Sequence, residues 1–344
     1  MNIFNYINKK GSLKEMSDEE FDIFLPEFTT NVVNYGFDNL LKYYTQTLKD
    51  IHDDWKNLKK KEIKQDNIAS TCIVGMAIIR NFMLHIYDVK NYKNKCIRDC
   101  WNYDSVSKAI RMNRKTHQTP YISEIIRQIG FTSGMSKITI YRPILTKRIV
   151  NYYNAKEVLD VCVGWGGRML GACCIPGVYY TGIEPYSITF EKLKDMKNSL
   201  YIENVSLYND TAENVLPSLN KKYDLALTSP PYYNLEIYSN EDTQSHHYGT
   251  YNNWIKHFLE PVIKGVLNKL LDNGKSAWSV KNFKTDKTYK LLDDVIRIHE
   301  EYGWYKTDKE FSVGNSIRPG MNHDKNGEKR KGQEITYIFE KRQV

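Results

Sequence analysis

The sequence lacks any run of apolar residues long enough to cross a membrane. Its most apolar stretch, residues 71–87, is interrupted by Arg80, Asn81 and His85, as in a buried helix. The first residues include asparagine and lysine where a secretory leader would have an apolar segment. We therefore expect a protein that neither spans a membrane nor is exported across one.

Cysteine is scarce, and its spacing excludes two classes of small fold. The six cysteines, at 72, 96, 100, 162, 173 and 174, form neither a disulfide scaffold nor a CxxC metal motif. The adjacent histidines 246 and 247 have no cysteine or carboxylate at ligand spacing, so we expect no metal site. Unpaired cysteines favour a reducing compartment, and the expected location is the cytoplasm.

Acidic residues are too few to balance the basic ones, which leaves a net charge of +8. Residues 51–140 hold sixteen Lys or Arg against eight Asp or Glu, an excess equal to that of the whole chain. Within this segment Lys108, Arg111 and Lys115 share one helix face, with Arg114 beside them. Such a face suits phosphate contacts that position a duplex, although a solvated basic face has the same pattern.

A rare corner, Thr-Ser-Pro-Pro-Tyr-Tyr at residues 228–233, directly follows the apolar run 223–227. Each proline holds φ at about −65° and has no N–H, so the Ser229 and Pro230 carbonyls meet no local donors. Acceptors in such a corner suit an exocyclic NH₂, and the Tyr232 ring can lie against the attached planar base. For a Pro-Pro pair alone, a strand-ending turn with a packed tyrosine is the alternative.

A glycine-rich turn, Gly164-Trp165-Gly166-Gly167, follows a second apolar strand at residues 156–163. Glycine lets the chain turn sharply there and lets a ligand approach the backbone. The pattern is not the Gly-x-Gly-x-x-Gly of dinucleotide binding, because Met169 stands where the third glycine belongs.

Acidic side chains end three successive predicted strands, at Asp160, Glu184 and Asp210. Glu184 is placed where an acid accepts hydrogen bonds from a ribose diol, and Asp210 could accept from an adenine amino group. Each acid alone also fits a solvated strand end. Three of them at regular intervals favour a nucleoside site.

Together these motifs resemble the S-adenosylmethionine-dependent DNA methyltransferases that modify exocyclic amino groups, over residues 140–344. Asp160 to Gly166 is similar to the family's cofactor loop, and Ser229 to Tyr232 is similar to its catalytic tetrapeptide. Residues 141–143, Tyr-Arg-Pro, look like the segment that closes over the methionine end of the cofactor, and residues 234–258 resemble phage and large-virus members. Cys162 departs from the family's usual aromatic residue, and no sizeable target-recognition domain follows the last strand.

The resemblance implies S-adenosyl-L-methionine as cofactor and double-stranded DNA as partner. It implies methyl transfer to cytosine N4 or adenine N6 of a base swung out of the duplex, and the serine at the head of the tetrapeptide leaves both bases open. The implied catalytic residues are Ser229, Pro230, Pro231 and Tyr232. The implied cofactor-binding residues are Tyr141, Arg142, Pro143, Asp160, Cys162, Gly164, Trp165, Gly166, Glu184 and Asp210.

The motifs follow one another without permutation, which predicts one α/β domain over residues 139–344. Its expected fold is a doubly wound, mostly parallel, seven-stranded Rossmann-like sheet, with strands at 276–280 and 334–340 and a core-facing helix at 251–271. Helical periodicity over 28–48, 68–92 and 122–129 predicts a helical domain at residues 1–138. By elimination, that domain is the candidate for target recognition or homodimerisation.

DNA contacts are expected from two segments that lie outside these motifs. One is the basic helix face at 108–115, and the other is the glycine- and lysine-rich stretch 318–332, for which a solvated hairpin tip is the alternative. The candidate contacts in the second segment are Arg318, Lys329 and Arg330. Two other functions stay open: methylation of RNA or of a protein glutamine, and a catalytically silent DNA-binding subunit of the same fold.

Overall fold

The chain folds into two compact units, each built from separate stretches of sequence. The structure, a computed structural model, describes residues 1–63, 72–133, 138–313 and 335–342. Unit 1 comprises Met1–Leu48, Leu84–Thr139 and Asn234–Tyr238. Unit 2 comprises Lys49–Met83, Ile140–Tyr233 and Ser239–Val344. Residues 49–83 thus group with the sheet-containing unit, and the helical unit is shorter than the 1–138 segment expected from the sequence.

Helices occur in both units. In chain order the described α-helices are α1 Phe4–Ile7, α2 Asp18–Tyr35, α3 Phe37–Gln46, α4 Ile51–Lys60, α5 Met76–Phe82, α6 Tyr103–Thr116, α7 Ile122–Thr132, α8 Pro143–Tyr153, α9 Gly167–Cys173, α10 Ser187–Ser199, α11 Ala212–Ser218, α12 Tyr251–Trp254, α13 Glu260–Lys269 and α14 Leu291–Glu301. Short 3₁₀ or π turns lie at Leu84–Asp88, Arg98–Cys100, Ser245–Tyr248 and Ile255–Leu259. None of the described helices has the length and apolar character needed to cross a membrane.

Unit 1 is helical, as the periodicity predicted, with different helix limits. A capping box starts α2, because the Ser17 hydroxyl accepts from the Glu20 N–H and the Glu20 carboxylate accepts from the Ser17 N–H. The stretch 28–48 is two helices, since Gly36 adopts φ of +89° between α2 and α3. The stretch 68–92 is α-helical only at α5 within its described residues; α5 begins after Gly75 at φ of +85° and belongs to unit 2. Lys90–Asn91 and Glu236–Ile237 pair as a two-stranded antiparallel sheet in this unit.

The main sheet lies in unit 2. Its strands are β1 Glu157–Asp160, β2 Tyr179–Ile183, β3 Val205–Tyr208, β4 Tyr223–Thr228, β5 Leu270–Val280, β6 Trp304–Phe311 and β7 Ile335–Lys341.

The strand order is β6-β7-β5-β4-β1-β2-β3. Strands β1 to β5 pair in parallel, and β7 lies antiparallel between β5 and β6. The chain progresses outward from β1 in one direction and from β4 in the other, so a topological switch point lies between these two strands. The predicted doubly wound, mostly parallel, seven-stranded sheet is confirmed.

The central strands are buried on both faces, as a parallel sheet covered by helices requires. Val158 and Leu159 of β1 and Leu225 and Leu227 of β4 are fully buried. This explains why these segments read as continuous apolar runs without alternation.

The predicted helix 251–271 differs from the structure in its length and continuity. It is divided into α12, the π turn and α13, and it ends at Lys269. Strand β5 begins at Leu270, and its register along β4 jumps from Leu270 opposite Tyr223 to Lys275 opposite Leu225. Asn273 and Gly274 therefore lie in a bulge of the strand. Leucines at this spacing fit a helix or a strand end, which is why periodicity alone misplaced the boundary.

Candidate active site

Four loops leave the carboxyl ends of the adjacent parallel strands β4, β1, β2 and β3. They carry residues 229–233, 161–166, 184–186 and 209–211 respectively. Parallel strands end at the same edge of a sheet, so the glycine-rich turn, the strand-end acids and the Ser-Pro-Pro-Tyr corner share one edge, at the switch point. This edge is the usual place for a ligand in a doubly wound sheet.

Asp160 links the strand before the Ser-Pro-Pro-Tyr corner to the start of the glycine-rich turn through buried hydrogen bonds. Its Oδ2 accepts hydrogen bonds from Arg168 Nε at 2.7 Å and from the Tyr180 hydroxyl at 2.6 Å. Its Oδ1 accepts from the Thr228 hydroxyl at 2.9 Å and the Cys162 N–H at 3.2 Å. The side chain is fully buried, so the structure does not support a direct contact of Asp160 with a cofactor.

Arg168 forms a buried ion pair with Asp160. Its guanidinium also donates to the main-chain oxygens of Cys162 and Val163 and lies 5.2 Å from the centroid of the Tyr141 ring. Burial alone would lower the pKa of Arg168, but the charge of Asp160 raises it above the usual range. The loop after β1 is therefore held from inside by a permanent cation.

Gly164 leaves room at the point where a ligand would approach the backbone. The residue has φ of +57°, which disfavours any side chain. Apart from its chain neighbours, a Cβ there would have one described atom within 4 Å, the Cys162 carbonyl oxygen at 3.9 Å. At Gly166, φ +80°, a Cβ would lie 2.8 Å from Leu193, because that glycine packs against α10 instead.

Glu184 is held in place by backbone donors and can still accept from a ligand. Oε2 accepts from the Gly164 N–H at 2.7 Å and Oε1 from the Tyr186 N–H at 2.9 Å. Each carboxylate oxygen has two lone-pair sites, so acceptor capacity remains on both. Burial, partly offset by these bonds, raises the pKa of Glu184 to about 7. The predicted role in binding a ribose diol therefore fits the geometry.

Asp210 stands at the next strand end. Its Oδ1 accepts from the Thr211 N–H at 2.7 Å and the Asn214 amide at 2.9 Å, which starts α11. Oδ2 has no hydrogen-bond partner among the described residues, so it can accept from an amino group such as that of adenine. The neighbouring Asn209 amide donates to the Glu184 main-chain oxygen at 2.9 Å and joins the two loops.

The segment 141–143 lies against the glycine-rich turn and α9; its predicted contact with the methionine end of the cofactor stays a prediction. A Cβ on Gly167 would be 1.9 Å from the Tyr141 oxygen, and one on Gly171 would be 2.1 Å from the Pro143 oxygen. Both glycines are therefore required by close backbone approach. The Tyr141 hydroxyl lies 2.8 Å from the Thr336 hydroxyl on β7, and Pro143 opens α8.

Sequence reasoning missed a layer formed by α4 and α5 beside this segment. The buried Lys147 ammonium donates to the main-chain oxygens of Leu58, Lys59 and Lys61, where α4 ends, at 2.8–2.9 Å. The Arg142 guanidinium donates to the Cys72 oxygen at 3.0 Å. No local motif in residues 49–83 predicts these contacts, because the donors, Arg142 and Lys147, lie about 70–90 positions later in the chain.

Cys162 and Trp165 complete the turn without offering a nucleophile. Burial is the main cause that raises the pKa of the Cys162 thiol well above its ordinary value. The thiol is therefore protonated at neutral pH, which does not suit a reaction that needs a thiolate. Trp165 is 6 % exposed and belongs to the packing of the turn.

At the Ser-Pro-Pro-Tyr corner, the Ser229 hydroxyl donates to the Ser279 main-chain oxygen at 3.0 Å. Pro230 and Tyr232 are buried, Pro231 is half-buried, and the Tyr232 ring lies 5.4 Å from the Phe283 ring at 39°. Tyr233 has φ of +44°, a strained value for a bulky residue. A constrained turn thus holds the acceptor groups at the sheet edge.

An aromatic cluster behind the corner was also missed. Tyr233 lies 5.4 Å from Tyr289 and 5.6 Å from Tyr251, and Tyr289 stacks on Phe283 at 5.0 Å. The Tyr251 hydroxyl donates to Asp294 at 2.8 Å. The sequence signal that could have indicated this hairpin is the pair of aromatic residues, Phe283 and Tyr289, on either side of the polar turn residues Thr-Asp-Lys.

The predicted DNA-contacting residues differ in their surroundings. On α6, Arg114 donates to Asp18 at 2.8 Å and Arg111 to Asp22 at 3.0 Å, so both are paired inside unit 1. Lys108 and Lys115 are exposed. Arg318, Lys329 and Arg330 lie outside the described residues. Contact of all these side chains with DNA stays a prediction.

Comparison with known proteins found no matching family model and no matching curated sequence. TrmN from Thermus thermophilus matches with a TM-score of 0.39 and 15% identity, over 58% of this chain and 49% of that one. An rRNA methylase from Streptococcus thermophilus matches with 0.38 and 15%, over 60% and 100%. An S-adenosylmethionine-dependent methyltransferase from Clostridium acetobutylicum matches with 0.39 and 12%, over 59% and 92%. The chain spans about half the length of TrmN, and at these scores the site is interpreted from its own geometry.

Proposed function

We propose that this protein is an S-adenosylmethionine-dependent DNA methyltransferase that modifies the exocyclic amino group of cytosine or adenine. One observation carries the proposal: the Ser229 hydroxyl gives its hydrogen to the Ser279 oxygen at 3.0 Å. A hydroxyl that donates its hydrogen in this way keeps its lone pairs, and we propose that they accept from the target amine. It does so at the same sheet edge as the turn that leaves room at Gly164.

The residues at this edge fit the proposed cofactor. Glu184 would accept from its ribose hydroxyls, Asp210 Oδ2 from its adenine amino group, and Gly164 would leave space beside the turn. When bound, the cofactor supplies a methyl group on a positively charged sulfur. The ion pair of Asp160 and Arg168 holds the loop after β1 from the buried side, and neither residue needs to contact the cofactor.

Ser229 and Pro230 address the main chemical difficulty, which is that an exocyclic amine is a poor nucleophile. Its lone pair is delocalised into the ring. Acceptance of the N–H hydrogens by Ser229 Oγ and the Pro230 carbonyl draws the nitrogen toward tetrahedral geometry and localises the pair. The nitrogen would bond to the methyl carbon as the carbon–sulfur bond breaks, and its excess proton would pass to water. In-line positioning can contribute at most about 7–11 kcal/mol.

Tyr232 supplies the surface on which the target base would rest. Its ring is held by Phe283 at 5.4 Å, which fixes its orientation before a base arrives. A base in a duplex must be swung out to reach it, at a cost of a few kcal/mol.

The test is incubation of the purified protein with labelled cofactor and four acceptors: duplex DNA, single-stranded DNA, RNA and a glutamine-containing peptide. Mass spectrometry of the digested nucleosides would identify the base and the atom together. We expect N4-methylcytosine or N6-methyladenine from DNA. Transfer to RNA or peptide alone would favour the other acceptors, and no transfer to any acceptor would overturn the proposal.

Ser229→Ala tests the residue that carries the argument. We expect loss of transfer with unchanged affinity for 5′-methylthioadenosine, a nucleoside that retains the ribose and adenine of the cofactor. Ser218→Ala is the matched control, because Ser218 also donates to a main-chain oxygen, that of Val215 at 2.8 Å, but lies at the end of α11. Equal activity of the two variants would contradict the assigned role of Ser229.

A further inference from the structure

Residues 281–290 form a small hairpin directly after β5. Phe283–Lys284 pairs antiparallel with Thr288–Tyr289. The hairpin starts two residues after Ser279, whose main-chain oxygen accepts from the Ser229 hydroxyl. It is thus a neighbour in space of the Ser-Pro-Pro-Tyr corner.

The hairpin is anchored on its apolar side. Phe283 is 6 % exposed and contacts the Tyr232 ring, and Tyr289 is 4 % exposed and lies 4.7 Å from the Tyr251 ring. At the base of the hairpin, the Asn282 side-chain oxygen accepts from the Leu292 N–H at 2.9 Å and so joins it to α14. These contacts hold the hairpin in a defined position beside Tyr232.

The exposed surface of the hairpin is cationic. Lysines at 281, 284, 287 and 290 are exposed, and within the described residues none has an ion-pair partner. The segment has one acidic residue, Asp286, whose carboxylate accepts from the Thr285 and Tyr289 hydroxyls at 2.8 Å. These bonds lower the pKa of Asp286 to about 2. One acid against four lysines leaves the surface positively charged.

Strand periodicity separates the two sides. Phe283 pairs with Tyr289 and both face the aromatic cluster, so Lys284 and Thr288, which form the next pair, face solvent. A nucleotide whose base lies against Tyr232 must keep its two charged flanking phosphates in solvent. The Phe283–Tyr232 contact places the exposed lysines of the hairpin close to that position.

We infer that the hairpin 281–290 is a DNA-contacting element in which Lys281, Lys284 and Lys287 bind phosphates flanking the target nucleotide of a duplex. The inference rests on the proposed function and adds the surface that positions its substrate. Such contacts orient the duplex and contribute affinity that falls with salt, without reading sequence.

The experiment compares two triple variants with the wild-type protein. One carries Lys281→Gln, Lys284→Gln and Lys287→Gln. The matched control carries Lys156→Gln, Lys221→Gln and Lys222→Gln, which removes the same charge just before β1 and β4, at the opposite edge of the sheet. Binding of a fluorescent duplex is measured by anisotropy at several salt concentrations, and binding of 5′-methylthioadenosine is measured in parallel.

For the hairpin variant we expect duplex affinity to fall about tenfold or more at low salt. The slope of log affinity against log salt should become shallower by about one for each lysine removed. Affinity for 5′-methylthioadenosine should stay unchanged in both variants, which reports an intact fold, and the control should bind duplex like the wild type.

The outcomes separate this inference from the proposed function. If the wild type methylates DNA but the hairpin variant keeps its duplex affinity and salt slope, the inference fails and the proposed function stands. If the wild type binds duplex through the hairpin yet transfers no methyl group, the proposed function fails and the contact stands. Equal losses in the hairpin and control variants, or no duplex binding by the wild type, would overturn the inference.

Discussion

The hydroxyl of Thr228 donates a hydrogen bond of 2.9 Å to the carboxylate of Asp160. These residues end β4 and β1, so one buried bond joins the strand before the Ser-Pro-Pro-Tyr corner to the strand before the glycine-rich turn. A shift of either corner would leave a buried carboxylate short of a partner, which is costly. The spacing of the two corners is therefore tied to the stability of the sheet.

Thr228→Val removes this bond while nearly preserving shape. We expect the free energy of unfolding to fall by about 1–3 kcal/mol, because Asp160 loses a donor in a fully buried position. Methyl transfer should fall more than cofactor affinity, since the catalytic corner loses its link to the turn. Urea unfolding and transfer assays measure both effects. Thr228→Ser keeps the hydroxyl and is the control; equal behaviour of Val and Ser variants would contradict this account.

Gly164→Ala tests whether the space beside the turn is used by a ligand. Gly177 is a matched control, because it has φ of +72° and a Cβ there would meet nothing within 4 Å. Both substitutions should cost about 1–2 kcal/mol of stability for alanine in a left-handed conformation. Gly164→Ala alone should lower the affinity for 5′-methylthioadenosine, by tenfold or more. Calorimetry that shows the same affinity in both variants would argue against a nucleoside at Gly164.

The strand ends and their motifs could be predicted from sequence because each is local. Apolar runs, glycines and prolines follow one another within a few residues, and they located β1, β4 and both corners. The role of Asp160 could not be predicted in the same way. Whether a strand-end carboxylate faces a ligand or the interior depends on Tyr180 and Thr228, which lie 20 and 68 positions away.

The raised pKa of Glu184 should make the affinity for a nucleoside depend on pH. Burial raises its pKa to about 7, and ribose hydroxyls donate to the ionised form. Below pH 7 binding must first remove a proton, so the affinity for 5′-methylthioadenosine should fall about tenfold between pH 8 and pH 6. This probe has no amine that titrates in the range. Titration calorimetry at several pH values measures the effect, and Glu184→Gln should abolish the dependence; a wild-type affinity that is flat with pH would refute the assignment.

Burial of His299 should make the free energy of unfolding depend on pH. The residue is fully buried behind β5, with Nδ1 2.8 Å from the Val295 oxygen and Nε2 2.9 Å from the Ser276 hydroxyl. Burial lowers its pKa to about 3. The stabilisation is complete above the unfolded pKa of about 6.5 and is lost as the pH falls toward 3, because the unfolded chain then binds an extra proton.

The expected slope for His299 is about 1.4 kcal/mol of unfolding free energy per pH unit between pH 6 and pH 4. Glu184 contributes in the opposite direction at pH 4.5–7, since its folded pKa is raised. The two effects are separated by comparing wild type with His299→Gln in urea unfolding at each pH. Loss of the steeper slope in the variant is expected, and parallel curves would show that His299 does not titrate on unfolding.

Residues 49–83 illustrate the limit of local pattern. The chain between α4 and α5 has no motif, and the apolar residues of α5 were interpreted as part of a longer amino-terminal helix. These residues belong to unit 2, where Lys147 donates to three main-chain oxygens at the end of α4. A lysine on another helix cannot be recognised as that partner before the fold is known, because its sequence neighbours are those of an ordinary amphipathic helix.

The course of the chain through the two units restricts how such a protein can be divided or recombined. The chain visits unit 2 at Lys49–Met83, again at Ile140–Tyr233 and finally from Ser239 onward. No single cut of the polypeptide yields one unit whole, so neither unit can be exchanged as a terminal cassette by gene fusion. Replacement of the helical unit would require changes at two internal segments as well as at the amino-terminal one.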